Sequence, residues 1–350
     1  MRDVAQAAGV SQAAISYAYN RPEKLSAAQR ERILQVADQI GYVGPHSAGR
    51  TLRTGQVGAI GLMITDSLPY AFDDPATSAL LKGISEAGEV AETALTLLPC
   101  PLESDQLAQR SGVLLRGLVD GFLAYAMPEG HPAVETVLRR GLPVAVIDGP
   151  NPGGLAWIGI QDREAARSVA AHVLGLGHRS VGILVDRLVP DGHSGPVSPA
   201  RRRQARDRVM RERLAGFAAA FRASGVPWGA ATVIEAGGFD EAASVSAAEA
   251  LLDAGPVTAV LAATDVLALA MMGVARSRGL SIPGDLSVTG FDDLPAAAGG
   301  QLTTVRQPLV DKGRQATQLL LDVIEGGEPR EICLPTELVV RGTTAPPGRR

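Results

Sequence analysis

The sequence predicts an α/β protein in two parts: a small all-helical head and a larger body of parallel sheets flanked by helices. Three observations carry that prediction. The first forty or so residues place apolar side chains at helical spacing, with glycines and capping serines at the joints. From Val57 onward, short apolar runs alternate with helical stretches, as βαβ units do. The alternation then restarts after Gly177-His178-Arg179, so the body reads as two similar lobes in succession.

The head begins with a helix over Arg2 to Ala8, a turn at Gly9, and a second helix over Gln12 to Tyr19. Val4, Ala8, Val10, Ile15 and Ala18 have the spacing that buries one face of two short crossed helices. Ser11 can cap the second helix by accepting a backbone N–H bond. A third helix follows a Ser26-x-x-Gln29 capping box, with Ile33, Val36, Ala37 and Ile40 as its apolar stripe and Gly41 as its stop. The arrangement is a helix-turn-helix. Its second helix presents Gln12, Ala13, Ser16 and Tyr17 outward. Gln can contact adenine in two places and Ala can touch a thymine methyl. Ser11, Ser16 and Asn20 suit phosphate oxygens. The alternative is a helical hairpin that uses this pattern only for packing.

Residues 45–56 form the next segment, bracketed by Pro45 and Gly55 and polar apart from Leu52. It reads either as a flexible linker or as a hinge helix that folds on DNA and wedges Leu52 into a minor-groove step.

Bulk properties narrow the function class. A chain of 350 residues fits two or three domains, and 46% hydrophobic with 20% charged residues is an ordinary globular balance. No apolar run approaches the roughly 20 residues of a membrane span, and no secretory pattern opens the chain, so a cytoplasmic location is expected. Net charge is −4, but residues 1–56 hold seven cations against four carboxylates and the remainder carries −7. A basic head on an acidic body fits a DNA-contacting module joined to a body that does not touch DNA. Cys100 and Cys333 read as buried free thiols. The five histidines lack metal-site spacing, no catalytic triad or phosphate loop stands out, and neither metal nor cofactor is expected.

In the body, Val57–Ile64, Thr93–Leu98, Gly121–Tyr125 and Val144–Ile147 read as strands, with helices over Thr77–Val90 and Asp105–Leu115. The second lobe repeats the scheme: strand Val181–Val185, helix Val209–Ala223, strand Ala231–Glu235, helix Asp240–Ala254, strand Ala259–Ala262, helix Val266–Arg278, strand Ser287–Gly290. Ligands in open α/β sheets bind beyond the carboxyl ends of strands, so a cleft between the lobes is the expected site. Asp148 and Asp292 follow strands, Asp265 begins a helix beside Thr264, and Arg213 lies on a helix after a Pro-rich loop. Carboxylates and a guanidinium can hold sugar hydroxyls or a purine edge. Asp265 equally suits a helix N-cap, and Asp148 has a structural reading beside the ligand one. Gly175 and Gly177 read as a helix stop, and His178 as structural. Residues 187–206 read as a surface loop leading into the Arg213 helix, with a cleft lid as the alternative.

Taken together, the chain resembles the LacI/GalR family of bacterial transcription regulators. The head carries Asp3-Val4-Ala5, Ala8-Gly9-Val10-Ser11, Ile15-Ser16, Asn20, Gly41-Tyr42 and Arg50 to Leu52. The body carries Gly177-His178-Arg179, Arg213-Leu214-Ala215-Gly216-Phe217, Gly290-Phe291-Asp292-Asp293, Leu302-Thr303-Thr304-Val305 and Arg341-Gly342-Thr343-Thr344. The resemblance implies a homodimer on a near-palindromic double-stranded operator, with paired hinge helices in the minor groove. It implies base reading by Gln12, Ala13 and Tyr17, phosphate contacts from Ser11, Ser16 and Asn20, and the wedge at Leu52. It implies a body built like periplasmic sugar-binding proteins, with segments near Leu302–Gln307 crossing back to the first lobe. The implied effector is a small molecule, sugar or nucleoside-like, with Arg213 and Asp292 as its best-supported contacts and Thr264, Phe239, Tyr70 and Phe72 as further ones. The expected division is a head at 1–44, a hinge at 45–56, a two-lobed body at 57–345 with lobes of about 57–160 and 161–290, and a tail at 346–350.

The sequence departs from the family pattern at three points. Met1 stands where members have a capping Thr, so either the first helix frays or the start lies upstream. Tyr17 replaces a frequent Arg. Gly49 falls inside the hinge helix, where Gly costs about 1 kcal/mol relative to Ala. No leucine-heptad tail follows the body, so no tetramerisation helix is expected. The expected function is a ligand-responsive repressor. The rival readings are a solute-binding protein of a sugar transporter and an enzyme on a doubly wound fold.

Overall fold

The computed structural model describes residues 1–42, 56–65, 68–100, 119–151, 153–238 and 240–348. Two compact units emerge, Met1–Gly58 and Ala59–Arg350. The hinge residues 45–55, with Leu52, lie outside the described residues, as do Phe239, the 105–115 segment and the side chains of Asn20 and Tyr70.

In the head, helices α1 (Arg2–Ala8), α2 (Gln12–Asn20) and α3 (Ala27–Gln39) enclose Val4, Ala5, Ala8, Ile15, Ala18, Ile33 and Ala37. Gly9 ends α1 at φ 65°, a left-handed backbone that glycine adopts without penalty. Ser11 Oγ accepts from Ala14 N at 3.1 Å, and Ser26 Oγ from Gln29 N at 3.2 Å. Met1, at the N-cap of α1, makes no side-chain capping bond. The expected stripe of α3 ends early: Ile40 is the C-cap and is 47% exposed, because the helix stops before its side chain can turn inward. Val10 is only half-buried.

The body's first sheet has six parallel strands, β1 (Ala59–Ile64), β2 (Ala94–Pro99), β3 (Gly121–Tyr125), β4 (Val144–Ile147), β5 (Ala156–Ile160) and a late β12 (Glu331–Leu334), in the order β12-β5-β4-β3-β1-β2. Helices α4 (Leu68–Asp73), α5 (Pro75–Val90) and α6 (Pro132–Arg139) intervene. The second sheet runs β10-β9-β6-β8-β7, from β6 (Val181–Val185), β7 (Gly195–Pro196), β8 (Ala231–Glu235), β9 (Ala259–Ala262) and β10 (Ser287–Thr289). Its helices are α7 (Asp162–Gly175), α8 (Pro199–Arg203), α9 (Arg208–Ala223), α10 (Glu241–Asp253), α11 (Asp265–Ser277) and α12 (Pro295–Gly299). The strands β1, β4, β6 and β9 are buried along their whole length, as parallel sheets covered on both faces require.

The chain passes between the lobes more than once. β11 (Thr304–Arg306) pairs antiparallel with β13 (Glu337–Val339), and α13 (Leu309–Ile324) packs against α5 and the first sheet. Two glycines allow that helix contact. A Cβ on Gly83 would fall 1.8 Å from Val310 O, and one on Gly313 2.2 Å from Leu80 O. Thr343 then returns to the second lobe, its Oγ1 donating to Val288 O at 2.7 Å.

Residues 187–206 are tied down. Leu188 is buried, β7 pairs with β8, and Arg201 bridges Asp191 and the buried Glu235. His178 bonds Thr258 Oγ1 (2.9 Å) and Ala345 O (2.8 Å), a structural role. Gly177, at φ 103°, sits in the turn after α7. Cys100 is buried, but Cys333 is exposed, because β12 is an edge strand and this side chain points away from the sheet's covered face. No described helix is long and apolar enough to cross a membrane.

Candidate functional site

A cleft in the body encloses about 940 Å³ including its open mouth, and its walls come from both lobes. Most of its polar side chains stand where strands end or helices begin. Tyr125 closes β3, while Asp148 and Asp186 follow β4 and β6 directly. Thr264 caps α11, Asp74 caps α5, and Asp207 caps α9. Asp292 follows β10 at φ 121° and Asp148 has φ 54°, both left-handed backbones that an L side chain seldom adopts. Such positions persist only where the surroundings hold them, and they aim these carboxylates at the cleft.

Arg213, on α9, is the cleft's principal cation. It is 4% exposed, and its guanidinium lies 3.6 Å over the Phe291 ring. Nε donates to Asp162 Oδ1 (3.2 Å) and Nη1 to Ala263 O (2.5 Å), while Nη1 stands 3.5 Å from Asp292 Oδ1. Arg208 joins Asp162 at 3.2 Å and stacks over Trp157. From Asp292 a buried polar chain continues: Gln307 Nε2 donates to Asp292 Oδ1 (2.5 Å), and Lys312 Nζ donates to Gln307 Oε1 (2.7 Å) and to Asp148 Oδ2 (2.6 Å). Six side chains thus link Asp162 in α7 to Asp148 after β4, across both lobes.

Electrostatics follow from that crowding. Burial pushes Asp186 up to about 8 against the pull of Arg213, with Asp292 adding repulsion. Burial also raises Asp292, Asp162 and Asp207, and it lifts the Tyr125 phenol well above its ordinary value. Asp186 Oδ1 receives a long bond from Thr264 Oγ1 (3.4 Å). The site is rich in acceptors, and its guanidinium is already engaged, so it is built to receive hydrogen-bond donors.

The structure brings Arg213, Asp292, Asp148 and Thr264 together around the cleft. Phe72 does not join them. It is 61% exposed, because one turn of α4 directs Ala71 inward and Phe72 to solvent. Asp265 is neither cap nor cleft wall. It is the first residue of α11 and accepts from Leu294 N (2.8 Å) and Thr304 Oγ1 (2.6 Å), tying down the loop after β10. The sequence reading missed Asp186, Asp74, Asp207, Gln307, Lys312 and Tyr125. Asp186 had the same signal as Asp148, an acid directly after a buried strand. Lys312 is a polar break in the apolar stripe of α13.

On the head, Gln12, Ala13 and Tyr17 are exposed on α2, while Ser16 is half-buried, one step nearer the core. Ser11 Oγ is occupied as a cap acceptor, which leaves its hydroxyl proton to offer. Among the described residues no group of three or more His, Cys, Asp or Glu could hold a metal ion.

Residues 1–44 match the model of bacterial regulatory proteins of the lacI family, and residues 170–344 that of a periplasmic binding protein-like domain. An HTH-type transcriptional regulator of Mycobacterium tuberculosis is 41% identical over 340 residues, covering 97% of this chain and 94% of that protein. The crystal structure of a lacI-family regulator from Corynebacterium glutamicum is similar at TM-score 0.76 and 32% identity, covering 99% of this chain and 98% of that one. A complex of the transcriptional regulator CelR with cellobiose is similar at TM-score 0.70 and 25% identity, covering 97% and 98%. The protein belongs to the lacI family of bacterial regulatory proteins.

Proposed function

We propose that this transcription regulator is a repressor whose operator affinity is set by a small molecule in the cleft between its lobes. The observation that carries the reading is the cleft wall itself. Arg213, Asp292 and Asp148 face one volume from both lobes and are joined by one polar chain. A ligand that touches any of them alters bonds that span the lobes. Arg213, Asp292, Asp148 and Thr264 are the proposed effector contacts. The effector is sugar or nucleoside-like, which agrees with an acceptor-rich wall and with the cellobiose bound to CelR. The chain acts in the cytoplasm as a homodimer on a near-palindromic operator. Gln12, Ala13 and Tyr17 read bases, and Ser11, Ser16 and Asn20 contact phosphates. Residues 45–56 form the hinge, with Leu52 as its wedge.

Effector and operator are then linked by a coupling free energy, usually 1–3 kcal/mol and equal in both directions. Fluorescence anisotropy tests it, using duplex DNA selected from a random pool. A sugar or nucleoside that occupies the cleft changes operator affinity by about 5–150-fold at fixed salt. Unchanged affinity at saturating cleft occupancy sinks the control model.

A further inference from the structure

Residues 201–222 hold eight arginines against two carboxylates, Asp207 and Glu212, in a body that carries −7 overall. Arg201, Arg208, Arg211 and Arg213 each pair with a carboxylate. Arg202, Arg203, Arg206 and Arg222 pair with none among the described residues. Two of these four, Arg202 and Arg222, line one pocket of about 710 Å³ including its open mouth. It shares no residue with the cleft. The rest of its wall is mostly apolar, with Ala218, Val226, Pro227 and Trp228. Arg202 is held in place from two sides. Its guanidinium carbon lies 5.0 Å from the centroid of the Trp228 ring, and Trp228 meets the buried Phe221 edge-on at 5.4 Å. The preceding residue, Arg201, is anchored to Asp191 by two 2.8 Å bonds and to the fully buried Glu235.

We infer that this pocket is a second ligand site of the body, and that it binds an organic phosphate monoester. Two guanidiniums bring two charges, and a phosphate monoester carries about −1.5 to −2 at pH 7. Guanidinium forks match phosphate oxygens in bidentate pairs. The Trp228 stack orders the plane of Arg202 before a ligand arrives, which lowers the cost of binding. The apolar wall favours a carbon group attached to the phosphate, which inorganic phosphate lacks. Arginines in the last turns of α8 and α9 also offset the negative helix ends. That role covers Arg203 as well as Arg202 and Arg222, and it needs neither a pocket nor a stacked side chain. The site stands whether or not the effector reading of the cleft holds. The two are joined by α9, along which Arg213 and Arg222 lie about 14 Å apart.

The test titrates full-length protein with phenyl phosphate by calorimetry at fixed low salt, beside inorganic phosphate and phenol. Wild type binds phenyl phosphate about tenfold more tightly than either fragment, because it alone uses both walls. Arg202→Ala and Arg222→Ala each weaken that binding about tenfold or more, the worth of one charge-assisted hydrogen bond. Arg202→Lys keeps the charge but loses the planar fork, and weakens it too. Arg203→Ala removes the same charge from the same helix outside the pocket, and affinity stays within about twofold of wild type. Arg222 is exposed, so Arg222→Ala keeps the test valid if Arg202→Ala is destabilised. Equal losses in Arg203→Ala and the pocket variants mark a diffuse cationic surface and overturn the site. So does a wild type that binds phenyl phosphate no better than inorganic phosphate, or not at all. None of these outcomes touches the cleft, whose reading the operator titration tests separately.

Discussion

The head and the cleft solve opposite problems with polar side chains. The head keeps its proposed recognition residues in water: Gln12, Ala13 and Tyr17 are exposed, and the core beneath them is apolar. The cleft puts its polar groups inside, where Arg213, Asp162, Asp292, Gln307, Lys312 and Asp148 are bonded in one chain. An exposed side chain can change with little effect on folding, because water replaces its partner. A buried one cannot, because its partner stays behind unpaired. The same polar chemistry is therefore separable from stability in the head and inseparable from it in the body.

The largest expected effect is at Arg213. Arg213→Met leaves Asp162 and Asp292 without their shared cation and destabilises the body by about 3–5 kcal/mol. Urea unfolding measures it, and a loss below about 1 kcal/mol would break the contrast, because it would mean that the cleft charges are as independent as surface ones.

The next effect concerns pH. Asp186 is raised from 3.8 to about 8, so the folded state keeps a proton that the unfolded chain releases. Its contribution is fully present below pH 4 and is lost as pH rises from about 4 to 8. His172 and His178, lowered from 6.5 by burial, pull stability the other way as pH rises towards 6.5. The comparison is therefore between wild type and Asp186→Asn, whose stability difference across that window is on the order of a few kcal/mol. Parallel pH curves for the two proteins would refute the buried protonated acid.

Gln12→Ala sharpens the other side. Operator affinity falls by about 1–3 kcal/mol, the worth of a bidentate base contact, while Tm stays the same. A shifted Tm with unchanged affinity would make Gln12 a packing residue. The smallest effect is Ser26→Ala, which removes the α3 cap and destabilises the head by about 1 kcal/mol, read as a lower midpoint in helical circular dichroism.

Much of this was legible before any coordinates. Helix and strand periodicity located Arg2–Ala8, Gly121–Tyr125, Val144–Ile147 and Val181–Val185 to the residue. These elements are set by local rules of side-chain alternation, capping and glycine. Asp148 and Asp292 were legible because an acid at the end of a buried strand must face either a cleft or a counter-charge. Ile40 and Phe72 went astray because a helix end, or one turn of a short helix, decides which side faces in, and composition does not record that angle. Cys333 is exposed because strand order made β12 an edge.

By itself, then, the sequence determined a helix-turn-helix head, a repeated βαβ body and the family that combines them, because each rests on patterns a few residues long. The tertiary structure alone decided that Lys312 meets Asp148, 164 residues away, and that Gln307 carries the contact on to Asp292. Burial sets the strength of such contacts, and burial is a property of the packed lobes that no short stretch of chain contains.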